Sequence, residues 1–122
     1  MRKLIDYFIE KIVGKVNEYY TCYYEEAPNN AIFPYLIMPT TQLSPLDDNS
    51  FSCVFDIEIY INELSNVSIE EIIDTLRDEL NNYFYKDDKL AFHLGFDNHL
   101  LVKSTEQDLS IRRITFTARI FR

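Results

Sequence analysis

Two carboxylates stand two residues apart in the stretch DIEIY, which runs from Asp56 through Glu58 to Tyr60. Residues two apart on a strand project from the same face, so Asp56 and Glu58 would lie side by side. Paired acids on a strand hold divalent metal ions in one class of nucleases, where a lysine follows two residues after the second acid. Tyr60 replaces that lysine here, and the net charge of −8 opposes contact with DNA. The pair is therefore better explained as a solvated strand face or a subunit contact.

Two other groups of side chains raise the question of a metal site. Asp47 and Asp48 lie in the stretch LDDNS, but Asp and Asn are also the ordinary residues of a turn. His93 and His99 are separated by a predicted turn, which would place them on adjacent strands. A metal site needs more ligands than the sequence places near either group. The sequence therefore predicts no bound metal.

The positions of the cysteines and glycines bear on thiol chemistry and on phosphate binding. Cys22 and Cys53 are far apart, and neither belongs to a CxxC motif, so we expect two reduced thiols. Gly14 and Gly95 are the only glycines, so the chain lacks a glycine-rich loop that brings backbone N–H groups to phosphate. The sequence predicts no cofactor and no catalytic residue, and we expect a protein that is not an enzyme.

Arginines are concentrated in the last segment of the chain, SIRRITFTARIFR. Arg113 and Arg119 fall on one face of the predicted last strand, where they are either solvated or paired with acids. Guanidinium groups suit carboxylates, so Asp56 and Glu58 are the expected partners, within one subunit or between subunits. The candidate residues of a subunit or partner interface are Asp47, Asp48, Asp56, Glu58, Arg112, Arg113 and Arg119.

Charge is spread unevenly along the chain. Residues 1–16 sum to +2 and residues 111–122 to +4, so the other 94 residues sum to −14. Such a distribution argues against sequence-independent binding to nucleic acid, which needs a continuous basic surface. Basic ends on an acidic body instead favour association between copies of the chain. No segment approaches the ~18 apolar residues of a membrane span, and we expect a protein of the reducing cytoplasm.

Hydrophobic periodicity predicts two amphipathic helices. The first covers residues 2–16, and the second follows Ser68, which forms a capping box with Glu71. Alternating or apolar runs predict strands at residues 19–24, 35–38, 51–62, 90–94, 100–105 and 113–120, with GFDN as the turn between the fourth and the fifth.

Pro34 and Pro39 flank the second predicted strand, so we expect it near a sheet edge, followed by a long loop over residues 40–50. The order of elements predicts an α+β fold in one domain spanning residues 1–122. Its sheet would be mixed or mostly antiparallel, with about four to six strands, and two α-helices would pack on one face.

Several segments carry a resemblance that covers nearly the whole chain. They are the N-terminal helix, the stretches YYEEAP and FPYLIM, the strand FDIEIYI, the helix IEEIIDTLRDELNN and the closing strand RRITFTARIF. In order and size they resemble the tail-terminator and tail-completion proteins of long-tailed bacteriophages and prophages. The resemblance implies a ring, usually of six subunits, that caps the head-proximal end of the tail tube and has no catalytic residues.

The resemblance also implies partners and a location. The partners would be other copies of the chain, the tail tube protein and a neck or head-completion protein, with DNA only passing through the lumen and no membrane. Assembly would take place in the host bacterial cytoplasm, and the protein would end at the head–tail junction of the virion. The loop over residues 40–50 would order on docking. Two alternatives stay open: a neck or head-closure adaptor, and a small metal-dependent nuclease that uses Asp56 and Glu58.

Overall fold

The computed structural model describes residues 2–39, 41, 43–46, 50–62, 67–102 and 108–121. In chain order these residues form α1 (Arg2–Val16), β1 (Cys22–Tyr24), β2 (Tyr35–Met38), β3 (Ser44–Pro45), β4 (Ser50–Asn62), α2 (Ile69–Leu80), β5 (Phe84–Lys86), β6 (Ala91–Val102) and β7 (Leu109–Phe121). The strands form one curled mixed sheet in the order β1-β2-β4-β7-β6-β5, with β3 paired to β4 outside this path. The predicted α+β class is confirmed, and the sheet is slightly larger than expected.

β4 and β7 form the centre of the sheet. They pair antiparallel along their whole length, from Ser50 opposite Phe121 to Asn62 opposite Leu109. The odd-numbered residues of β4 from Phe51 to Ile61 are buried, whereas the even-numbered residues from 52 to 62 are partly or fully exposed. This period of two is the pattern that the sequence shows, and it confirms the predicted strand over residues 51–62.

Both helices contribute to one hydrophobic core. The buried helix residues are Phe8, Ile9, Ile12 and Val16 of α1 and Ile72, Ile73, Leu76 and Leu80 of α2. The Phe8 ring meets Phe55 of β4 and Phe92 of β6 edge to face, at centroid distances of 5.8 and 5.1 Å. At the start of α2, Ser68 Oγ accepts the backbone N–H of Glu71 at 3.1 Å, as expected for the predicted cap. That both helices cover a single face of the sheet stays a prediction.

The strand predicted over residues 19–24 is mostly wrong. Only Cys22–Tyr24 is a strand, because Tyr19 and Tyr20 donate their backbone N–H groups to the carbonyl of Val16 and extend the end of α1. β1 then pairs parallel with β2 on the outer side. The proline-flanked strand β2 is therefore one position in from the edge, and a three-residue strand forms the edge itself.

The segment predicted as two strands around a turn forms one strand, Ala91–Val102, over its described residues, and residues 103–105 of the second predicted strand lie outside them. The GFDN stretch lies inside β6, where the register with β7 shifts between Phe96 and Asn98. A β-bulge of this kind accommodates an extra residue without reversing the chain. His93 and His99 consequently lie on the same strand, and their predicted placement on adjacent strands is wrong. The short strands β3 and β5 were not expected from the sequence.

One carboxylate ties α1 to the turn between β5 and β6. The hydroxyls of Tyr7 and Tyr85 both donate to Asp87 Oδ2, Tyr85 at 2.7 Å. Asp87 Oδ1 accepts the backbone N–H groups of Lys89 at 2.8 Å and Leu90 at 3.0 Å. The hydrogen bond from Tyr7, followed by that from Tyr85, holds the pKa of Asp87 well below its ordinary value of 3.8. Folding thus favours the charged form of Asp87.

We expect Asp87→Asn to lower the melting temperature at neutral pH, because an uncharged amide oxygen cannot replace two carboxylate oxygens as acceptors for four donors. The folded-state pKa lies below 3.8, so the stabilisation is present above that pH and is lost as the pH falls below it. Thermal unfolding is followed by circular dichroism at a series of decreasing pH values. The difference in melting temperature between the unmodified protein and Asp87→Asn should shrink as the pH falls. The exposed neighbour Asp88→Asn is the control. A difference that stays constant down to strong acid would contradict the assignment.

Candidate functional site

The sheet has a second face, opposite the buried residues of β4, which we call the open face. It is formed by alternate residues of β4 and by the residues that pair with them. These are Ser52, Val54, Asp56, Glu58 and Tyr60 of β4, Ile111, Arg113, Thr115, Thr117 and Arg119 of β7, and Tyr35 and Ile37 of β2. Val54 is 60% exposed, whereas the next residue, Phe55, is 2% exposed. The open face is therefore accessible to solvent at Val54.

An ion network occupies the middle of the open face. Glu58 and Arg113 are direct cross-strand partners, and Arg113 Nη2 and Nε lie 2.9 and 3.3 Å from Glu58 Oε2. Arg113 Nε is also 3.8 Å from Asp56 Oδ2, while Thr115 Oγ donates to Asp56 Oδ1 at 2.7 Å. The predicted pairing of Arg113 with Asp56 and Glu58 is confirmed, and it forms within one chain.

Protonation in this network follows from its charges. The hydrogen bond to Glu58 raises the pKa of Arg113 above its ordinary value, so the guanidinium stays charged. Tyr60 donates its hydroxyl to Glu58 Oε1 at 3.1 Å. Burial, and then the charge of Glu58, raises the pKa of Tyr60 to about 12. Tyr60 is therefore a neutral hydrogen-bond donor at neutral pH.

An aromatic cluster extends the network toward the β1 edge. The Tyr60 ring stacks on Tyr35 of β2 at a centroid distance of 5.1 Å, and Tyr35 stacks on Phe33 at 5.2 Å. Tyr23 of β1 meets Tyr35 edge to face at 6.1 Å. The sequence does not predict this cluster of Tyr23, Phe33, Tyr35 and Tyr60. The aromatic residues in and beside β1, β2 and β4 are visible in the sequence. Only the register of these three strands brings their rings together.

The remaining candidate residues are dispersed. Arg119 is on the open face opposite Ser52, with its guanidinium carbon 5.4 Å from the centre of the Phe121 ring. Arg112 pairs with Ile59 in the ladder and so projects from the other face, where its Nη2 lies 3.6 Å from Glu70 Oε1. Asp47 and Asp48 lie outside the described residues. The described candidates therefore do not form one patch, because Arg112 projects from the face opposite to that of Asp56, Glu58, Arg113 and Arg119.

Metal ligands, free thiols and membrane-spanning helices also bear on what the protein can do. Among the described residues, no group of three or more His, Cys, Asp or Glu side chains is arranged to hold a metal ion. Cys22 and Cys53 are buried and free, as expected for reduced thiols. No helix in the part of the chain that the structure describes is long and apolar enough to cross a membrane.

We expect Glu58 and Arg113 to be energetically coupled. A double-mutant cycle with Glu58→Ala and Arg113→Ala, measured by urea unfolding, should give a coupling free energy of about 1 kcal/mol, since the pair is only partly exposed. A second cycle with Glu58→Ala and Arg119→Ala is the control. Arg119 pairs with Ser52, which is six residues from Glu58 along β4, a distance of about 20 Å. Equal coupling in both cycles, or none in either, would contradict a specific ion pair.

Comparison with other proteins assigns no family to the chain. No protein-family model matches it, and a search of curated proteins gives no match.

Proposed function

We propose that the protein is a structural subunit of a long-tailed bacteriophage or prophage virion. It forms a ring that caps the head-proximal end of the tail tube and joins the tail to the head. The observation that carries the proposal is the open face, an accessible sheet surface whose charges are paired and whose rings are stacked. Aromatic residues and arginine are enriched at protein interfaces, whereas unpaired charges are depleted from their centres. Such a face is suited to contact with another protein.

The ion network favours a structural role for the paired acids over the nuclease alternative. The guanidinium of Arg113 lies within 3.8 Å of both Asp56 and Glu58, so a fixed positive charge already neutralises part of the site. A divalent cation between these acids would have to displace or repel that charge. The acids are therefore better suited to fixing Arg113 on the open face than to holding a catalytic metal.

The overall charge is compatible with a passage for DNA. A chain with a net charge of −8 does not attract phosphate, so DNA would move through a ring of such chains without being held. The proposed partners are other copies of the chain, the tail tube protein and a neck or head-completion protein. Assembly in the host bacterial cytoplasm, followed by a place at the head–tail junction, is part of the same proposal.

The oligomeric state tests the proposal. Size exclusion with light scattering over a wide concentration range should give a species near 87 kDa, six times the chain mass of 14.5 kDa. Negative-stain electron microscopy of that species should show a ring with a central opening. A protein of 14.5 kDa at every concentration would contradict a ring that assembles by itself.

A nuclease assay provides the opposing measurement. Incubation with DNA and magnesium should leave the DNA intact, because Arg113 partly neutralises the two acids. Magnesium-dependent cleavage that is lost in the double variant Asp56→Asn and Glu58→Gln would replace the structural proposal with the enzymatic alternative. Retention of the same cleavage in the double variant would indicate a contaminating nuclease.

A further inference from the structure

One side chain and one turn close the β1 edge of the sheet. Asn17, just after α1, donates its side-chain Nδ2 to the carbonyl of Cys22 and accepts the Cys22 backbone N–H, each at 3.0 Å. The carbonyl of Tyr24 accepts the backbone N–H of Glu26 at 2.9 Å. A further strand would need these backbone groups as its own partners, so it cannot be added at β1.

The opposite edge of the sheet is covered only along the first half of β6. β5 pairs with residues 91–93, and the segment before β5 continues the cover through hydrogen bonds to Leu94 and Phe96. Residues 98–102 follow the bulge and pair with β7 on one side. Among the described residues, none pairs with their other side. We call residues 98–102 the free edge.

Two exposed leucines stand on the free edge and point to opposite faces of the sheet. Leu100 pairs with Arg113 and so lies on the open face, whereas Leu101 pairs with Arg112 and lies on the other face. Their exposed fractions are 52% and 66%. A partner that covers one face of the sheet would leave one of the leucines in water. A strand added beside β6 covers both, because its own side chains alternate between the two faces.

We propose that the free edge is a self-association site, at which β6 pairs antiparallel with β6 of a second copy. A second copy is favoured by what each possible partner leaves exposed. A strand from another protein would become the new outer edge, whereas a second copy brings a sheet whose far end, β1, is closed by Asn17. Among the described residues, the joined sheet therefore has no edge that is open to a further strand.

This contact goes beyond the proposed ring. A ring repeats a contact between two unlike patches, whereas two identical edges pair about a twofold axis. The free edge is thus a second contact, separate from the one that closes a ring, and it can form in a pair of copies alone.

Symmetry and overlap fix the register of the pair. The twofold axis of a continuous antiparallel sheet is normal to the sheet, so both copies keep their open faces on the same side and opposed residues share a face. An axis at Leu100 pairs all five residues of the free edge: Leu100 with itself, Leu101 with His99, and Asn98 with Val102. Any other axis leaves part of the free edge unpaired. In this register about four to six backbone hydrogen bonds form between the copies.

Charge permits close approach at the free edge, although each copy carries a net charge of −8. The free edge reads NHLLV and contains no Asp, Glu, Lys or Arg. Asp97, the residue before it, already accepts a hydrogen bond from Thr117 Oγ within its own sheet at 2.5 Å. The paired segments therefore place no charge directly opposite a like charge.

Self-linkage of a single variant tests the pairing. At the axis of an antiparallel pair the two Cα atoms lie about 4.5–5.5 Å apart, which suits a disulfide. Under mild oxidation we expect Leu100→Cys alone to give disulfide-linked dimers several-fold above Ile32→Cys. Ile32 is 82% exposed, so its variant measures linkage by random collision. Native Cys22 and Cys53 do not interfere, because both are buried, and burial raises the pKa of their thiols, that of Cys22 to about 12.

Two charge variants in the Leu100→Cys background test the register. Asn98→Lys combined with Val102→Lys places like charges directly opposite each other, so the linked dimer should fall to the level of Ile32→Cys. Asn98→Lys combined with Val102→Glu places opposite charges there instead and should restore the linked dimer. The two variants differ at one position only, and circular dichroism checks that both keep the fold.

The outcomes separate this contact from the proposed ring. Linkage of Leu100→Cys no higher than that of Ile32→Cys would overturn the pairing and leave the free edge to a strand of another protein. Equal linkage in the two charge variants would overturn the register. A species near 87 kDa, six times 14.5 kDa, without self-linkage would overturn the pairing and leave the proposed function intact. Linked dimers near 29 kDa, twice 14.5 kDa, without any larger species would support the pairing and contradict the ring.

Discussion

The antiparallel ladder between β4 and β7 is the constraint on which the rest of the molecule depends. It fixes thirteen residue pairs in one register. Because strand side chains alternate, a slip of one residue would move Phe55 and Ile57 to the open face and bring Asp56 and Glu58 into the core. Both the buried Phe55–Phe116 stack and the Glu58–Arg113 ion pair require the observed register. Apolar packing on one face and charge pairing on the other therefore select the same alignment.

The outer strands extend the sheet on both sides of this central pair, and the two edges of the sheet end differently. β2 and β1 extend the sheet from β4, and Asn17 terminates it by binding the backbone of Cys22. β6 extends it from β7, and β5 covers only the first part of β6. The asymmetry has a physical consequence, since one edge cannot accept a further strand and the other still exposes backbone groups and leucines. One edge of the sheet is therefore available for contact with another chain, and the other is not.

The sequence predicted the features that depend on local periodicity, such as the alternation in β4, the cap at Ser68 and the shared face of Arg113 with Asp56 and Glu58. It did not predict features that depend on register or on distant partners. The GFDN stretch predicts a turn where the structure has a bulge in β6, because glycine and aspartate are common in both. The Asp87 cluster joins residues 80 apart in the chain, and no local pattern marks Tyr7 as its donor. The aromatic cluster likewise requires three strands to be aligned.

Repulsion between copies limits where this chain can contact itself. A ring of six would carry a formal charge of −48, six times −8, and most of its surface would resist close approach at low salt. Contacts between copies must then use segments in which charge is absent or already paired within the chain. On the described surface the centre of the open face is such a region, because Arg113 offsets Asp56 and Glu58 there. In the proposed ring, the acidic remainder of the surface would face solvent or passing DNA, and surfaces whose charges are paired within the chain would meet other proteins.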